Sequence, residues 1–172
     1  ANQISRMNDV LVGAVNKTST GVEDLGEAMK YAAPVAKVYG ASLEQTSAML
    51  GILGNNSIKG SEAGTGLRAI MARLAAPPKP AIAALESIKV NPINKDGSMK
   101  DLGELFNEIR IKTEKLNAAD RIEIFKGIAG QEHFSKLEPL IASTGVLDEK
   151  TGKVVNQFKE LENQLKNTKG LA

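Results

Sequence analysis

"GNNSIKGSEAGTGLRAIMARLAAPPKP", Gly54 to Pro80, packs Gly60, Gly64 and Gly66 into seven residues and follows them with Arg68. Such a run is either a phosphate-cradling loop or the start of a closely packed helix, and the two readings lead to different folds. A Walker-type loop follows a strand and ends in Gly-Lys-Ser/Thr, so that the lysine reaches phosphate and the hydroxyl reaches Mg²⁺. Here the preceding segment has helical spacing, and Gly66 is followed by Leu67 and Arg68. A dinucleotide loop needs its glycines in the order GxGxxG after a strand, and "GSEAGTG" has another order. The helical reading places a turn at Gly60 and an N-cap at Ser61. Gly64 and Gly66 then become bare positions against a neighbouring helix. Each interior glycine costs about 0.5–1 kcal/mol relative to alanine, which close packing has to offset. Ala63, Leu67, Ile70, Met71 and Leu74 share one side of this helix, and the prolines from Pro77 onward end it.

Working outward, nearly every segment carries the 3–4 spacing of a helical face. Ile4, Met7, Val10, Leu11, Ala14 and Val15 form the first such stripe. Thr20 with Glu23 reads as a capping box. The next stripe is Val22, Leu25, Met29, Ala32, Ala36 and Tyr39. Pro34 lies inside it and predicts a kink. Gly40 predicts the helix stop. Ser42 with Gln45 is a second capping box, opening a helix to about Asn55. Pro80 opens a short helix, Ala81 to Ile88. "VNPINKDGSMKDL", Val90 to Leu102, has an Asp96-Gly97 turn signal and predicts a small hairpin or extended loop. Further helices follow from Leu102, after the Asn117 cap with a break at Gly127 and Gly130, and around His133 to Ile141. Ser143-Thr144-Gly145 ends the compact part in this reading. A last helix carries Val154, Phe158, Leu161 and Leu165, a narrow stripe suited to a coiled coil or to docking.

The expected fold is therefore mainly α: a compact multi-helix domain of about seven to nine helices, with one short β-hairpin or extended loop near residues 90–100. Residues 1–145 read as the core helical domain. Residues 146–172 read as a C-terminal helix, a coiled-coil or linker segment.

Composition narrows the function. The chain has 172 residues, 42% apolar but only 3% aromatic, and no Trp or Cys. Residues 1–86 hold 16 of the 21 alanines and only 15 of the 42 charged groups. A bland, small-residue first half is either buried or packed on a partner, and self-association is one expectation from it. The net charge of +2 gives no electrostatic footprint for nucleic acid. The longest uncharged run, Gln45 to Ile58, has 14 residues and is too short and polar to span a bilayer. The chain opens on Ala1 rather than Met, which predicts a piece of a longer protein.

No catalytic constellation emerges. His133 is the single histidine and has no partners at metal or triad spacing. Glu23/Asp24 and Asp148/Glu149 are adjacent in sequence and so point to different sides of a helix. Arg68 and Arg73 do not make a nucleic-acid surface. Met7, Met29, Met49 and Met71 fall on helical stripes and read as core filling. The sequence predicts no enzyme, no cofactor and no metal. The residues singled out are structural: Pro34, Gly40, Gly60, Ser61, Gly64, Gly66, Leu67 and Arg68.

The stretch from Thr18 to Pro77, "TSTGVEDLGEAMKYAAPVAKVYGASLEQTSAMLGILGNNSIKGSEAGTGLRAIMARLAAP", resembles the core region of phage tail tape measure proteins. The resemblance rests on Leu25 to Ala28, Pro34 to Lys37, Gly40, Ser42 to Glu44, Ile58 to Ser61, Ala63 to Thr65, and Leu67 with Arg68. "VNPINKDGSMKDLGELFNEI" and "LNAADRIEIFKGIAGQEHFSKLEPLI" extend it over residues 5–145. Gly66 departs from it, since the family more often has Ala there, and the final helix is not diagnostic. The resemblance implies a non-enzymatic structural protein of a phage, prophage or phage-tail-like particle. Such proteins set tail length, scaffold tail tube assembly and leave the tube during DNA ejection. Implied partners are the tail tube protein and the tail assembly chaperones. The implied location is the lumen of the virion tail, and the bacterial host cytoplasm during assembly. A generic helical interaction or scaffold module, and a cell-wall hydrolase domain, are the alternatives.

Overall fold

The uncharged run Gln45–Ile58 decides the architecture. In the computed structural model, which describes residues 2–170, it forms most of a helix whose residues from Gln45 to Gly54 are all buried. A helix buried all round sits at the centre of a domain, and here its neighbours supply the cover. The elements are α1 (Asn2–Lys17), α2 (Val22–Tyr39), α3 (Leu43–Asn55), α4 (Gly60–Ala75), α5 (Lys79–Ser87), α6 (Leu102–Thr113), α7 (Ala118–Ala129), α8 (Phe134–Ala142), β1 (Val146–Asp148), β2 (Lys153–Val155) and α9 (Gln157–Lys166). The central α3 touches α1, α2, α4, α8 and α9. The most extensive packing is between α2 and α4, and α5 lies on α7. The fold is mainly α, with nine helices among the described residues.

One core runs through the whole assembly, from Val10 and Ala14 of α1 to Phe158, Leu161 and Leu165 of α9. Phe158 and Leu165 are fully buried. The ring of Phe158 meets that of Phe106 edge-on, with centroids 6.1 Å apart and planes at 79°. The apolar stripe of the last helix thus serves this core. Val154, expected on that stripe, lies instead on β2 and is exposed.

Several local expectations are corrected, while the Gly40 stop is found. Thr20 does not cap α2; Gly21 holds the N-cap position with no side-chain hydrogen bond. Thr20 is buried against α3, where a Cβ on Gly54 would lie 2.9 Å from Thr20 Cβ. Packing has taken the side chain that capping would use. Ser42 does cap α3, accepting the Gln45 N–H at 3.0 Å, but the Gln45 side chain turns away to donate to Asp101 Oδ1. Ser61 is not the cap of α4. That helix starts a residue earlier, with Lys59 in the cap position and Gly60 at φ +61°, a left-handed entry that only glycine adopts without strain. Gly40 ends α2 at φ +94°, its N–H reaching Ala36 O. Pro34 lies on the exposed side of α2, and the helix continues through it. Val22 is also exposed. Gly127 does not break α7, which runs on to Ala129.

The loop at 90–100 is a tight turn with one antiparallel bridge, Ile93 to Met99, around Gly97 at φ +88°. Asp96 accepts both the N–H and the hydroxyl of Ser98, and these bonds hold its carboxyl below the usual range. The two-stranded hairpin lies elsewhere, at β1–β2, pairing Val146 with Val155, Leu147 with Val154 and Asp148 with Lys153. The β-branched and apolar residues flanking "DEKTG" were the available signal; the helical spacing of Val154 with Phe158 concealed it.

Candidate functional site: the small-residue helix pair and its arginine fasteners

The glycines of Gly60–Arg68 have different neighbours. A Cβ on Gly64 would sit 2.3 Å from Ala28 O and 2.8 Å from Ala28 Cα. The backbones of α4 and α2 therefore meet at this point. Ala28, Ala32 and Ala36 of α2 and Ala63 and Leu67 of α4 are all buried. Gly66, two residues on, faces α8; a Cβ there would lie 2.8 Å from Lys136 Cγ. Lys136 also reaches Glu62 across 3.5 Å. Ser61 and Arg68 are exposed, and Leu67 is fully buried.

The start of α4 faces acid, not a vacant anion site. A Cβ on Gly60 would lie 3.4 Å from Asp24 Oδ1, and Glu62 is in the first turn. Carboxylates already meet the partial positive charge of this helix end, which disfavours a phosphate there.

Three arginines fasten helix ends, a pattern that the sequence reading did not find. Arg73 of α4 donates from Nε to Ile128 O at 2.9 Å and from Nη2 to Gly127 O at 3.0 Å. These are terminal carbonyls of α7, where a cation is favoured. Arg110 of α6 donates to Thr144 Oγ1 at 3.1 Å and pairs with Glu114. Its guanidinium fills the space beside Gly145, where a Cβ would lie 2.4 Å from Cζ. Arg6 of α1 pairs with Glu44 at 2.9 Å and donates to Leu165 O, Lys166 O and Thr168 O at the end of α9. The only sequence signal was the presence of arginine rather than lysine, since a planar fork can serve several carbonyls at once. Arg73→Met keeps the stem but removes both donors from part-buried carbonyls. It is expected to cost about 1.5–3 kcal/mol, read as a lower urea midpoint with an unchanged slope.

The remaining candidates stay apart. His133 holds the N-cap position of α8, with Nε2 3.9 Å from the exposed Glu132 and a buried Nδ1 that has no hydrogen-bond partner. Glu23 and Asp24 occupy the first turn of α2, while Asp148 ends β1. Met49 and Met71 are fully buried, but Met7 is exposed. Among the described residues no group of three His, Asp or Glu side chains could hold a metal ion. No described helix is long and apolar enough to cross a membrane. An open groove of about 670 Å³ between α6, α7 and α8 is floored by Phe125, Phe134 and Ile141 and edged by Arg110, Arg121 and Glu138. It contains no nucleophile paired with a base. Tyr39 donates to Lys100 O at 3.0 Å; burial, and then the nearby Asp101, push its hydroxyl well above the ordinary range.

The family described as phage-related minor tail protein matches residues 1–130. The chain belongs to that family. The matched span runs from α1 through α7 and contains the whole α2–α4 pair. Two curated tail proteins are similar as well. The probable tape measure protein of Escherichia phage P2 is 38% identical over 154 residues, covering 87% of this chain and 19% of its own length. The tape measure protein of Pneumococcus phage Dp-1 is 36% identical over 157 residues, covering 91% of this chain and 14% of its own. The chain thus spans less than a fifth of either relative. No solved structure matches it.

Proposed function

We propose that this chain is a folded, non-enzymatic domain of a tape measure protein. The parent protein sets tail length, scaffolds polymerisation of the tail tube with the assembly chaperones, and leaves the tube ahead of the DNA. The domain acts in the host cytoplasm during assembly and then in the tail lumen. The observation that carries this reading is the α2–α4 contact at Gly64 and Ala28. The glycine run that could have been a phosphate loop is used to bring two backbones together. A protein built this way offers shape, not chemistry, and both curated relatives are named as tape measure proteins.

Within that role the segment is a docking domain rather than a stretch of the ruler. A 172-residue chain drawn out as one helix would span about 260 Å at ~1.5 Å per residue. A compact domain of this size has a radius of gyration of only about 16 Å. An in-frame deletion of residues 18–145 from the parent gene tests this. The expected result is fewer assembled particles with tails of unchanged length by electron microscopy. Tails uniformly shorter by about 190 Å, the helical length of the deleted stretch, would assign the segment to the ruler instead.

A further inference from the structure

The inner face of α9 contains a contradiction. Phe158, Leu161 and Leu165 are seated in the core, yet Glu162 is buried among them at 8% exposure. Its cation partner, Lys166, is 3.7 Å away on the same helix and half-exposed, so it adds no tie to the body. Two carboxylates of the body act on Glu162 electrostatically, and Arg6 pairs with one of them. Asp101 precedes α6 and holds Gln45 and the Glu104 N–H; Glu44 stands on α3. Burial, reinforced by these two carboxylates and only partly offset by Lys166, raises the Glu162 pKa above its ordinary value of 4.5.

The ties lie at the two ends. At the start of α9, Phe158 donates its N–H to Ser143 O at 3.1 Å, which closes the base of the β1–β2 hairpin. At its far end Arg6 neutralises Glu44 and binds the terminal carbonyls of α9, while Asp9 of α1 accepts the Gly170 N–H. Gly13 and Gly103 leave room for this seat. A Cβ on Gly13 would lie 2.7 Å from Thr168 Cγ2, and one on Gly103 would lie 3.1 Å from Phe158 Cε1.

We infer that α9 is a strap: it opens as a unit while α2–α4 stays folded, latched by Arg6 and loosened at its middle by the buried Glu162. Opening uncovers the ring of Phe106 and the bare backbone at Gly13 and Gly103. The latch is ionic and the loosening is electrostatic, so the balance depends on pH. An acid whose pKa is raised in the docked state costs stability above that raised value. The cost vanishes below the ordinary value of 4.5. With respect to Glu162, the strap is looser at pH 8 than at pH 5.

Hydrogen exchange of the full chain, resolved to residues 160–166 and to α4, tests the inference. In the wild type, α9 amides are expected to exchange faster than buried α4 amides. Arg6→Ala should speed α9 exchange about tenfold or more with α4 unmoved, as expected for loss of charged hydrogen bonds. Glu162→Gln should slow it at pH 8, and the gap from wild type should narrow as the pH falls toward 4.5. Comparison at equal pH cancels the intrinsic exchange rate. The inference is overturned if wild-type α9 exchanges only with α4, if Arg6→Ala speeds both equally, or if Glu162→Gln leaves α9 unchanged at pH 8.

Discussion

Gly64→Leu is expected to abolish the native fold, or to leave it at least about 3 kcal/mol less stable, at the upper end of overpacking effects. The reason is what the new side chain would meet. Most overpacked sites relax because neighbouring side chains rotate away. Here the obstructing atoms are Ala28 O, Cα and C, all within 3 Å of the added Cβ. They belong to the backbone of α2 and can move only if α2 separates from α4, the most extensive helix contact in the molecule. Domains of ordinary size are stable by about 5–15 kcal/mol, so this one contact consumes much of the margin. Gly66→Ala is the matched control. Its Cβ would meet Cγ of Lys136 at 2.8 Å, a side-chain atom that can move by rotation without separating two helix backbones. The alanine regains about 0.8–1 kcal/mol of helix propensity. The net change should be small, in either direction. Urea denaturation followed by circular dichroism reads both. A native Gly64→Leu with wild-type midpoint would remove the α2–α4 packing argument altogether.

Phe106→Ala is the second large effect, expected to cost about 3–5 kcal/mol. The chain has only four Phe, two Tyr and no Trp, so its core has few large side chains to share the load. Phe106 is fully buried on α6 and touches Phe158 of α9. The edge-on geometry is the favoured one for aromatic pairs and adds about 0.5–1.5 kcal/mol beyond area burial. A double-mutant cycle with Phe158→Ala should recover a coupling of that size. A coupling near zero would mean that the two rings are merely neighbours. Because Phe106 belongs to the body and Phe158 to the strap, the cycle also measures how firmly the two are joined.

The helices were legible because their apolar residues recur at 3–4 spacing and their ends carry glycine, proline or a polar cap. That is why Gly40, Asn117 and the prolines after Ala75 mark real boundaries. Thr20 and Ser61 misled because a cap is one of several uses for a hydroxyl. Thr20 was taken by packing against Gly54, and Gly60 moved the start of α4 away from Ser61. The hairpin at β1–β2 was missed because three-residue strands are too short to establish a period of two. The pairings of the arginine fasteners were not readable, beyond the choice of arginine over lysine. Arg73 and the carbonyls it binds are more than 50 residues apart, and no local pattern encodes that pairing.

By itself, then, the sequence determined a helical protein without a phosphate loop, a cysteine or a metal-ligand pattern. These follow from residue identity and spacing, which are local properties. Only the tertiary structure decided which glycine meets backbone and which meets a movable side chain. It also decided that the uncharged stretch after Glu44 is the central helix, and that a glutamate on the last helix is buried among core side chains. Each of those depends on atoms from distant parts of the chain arriving at the same place, and close packing, unlike periodicity, exists only once they have.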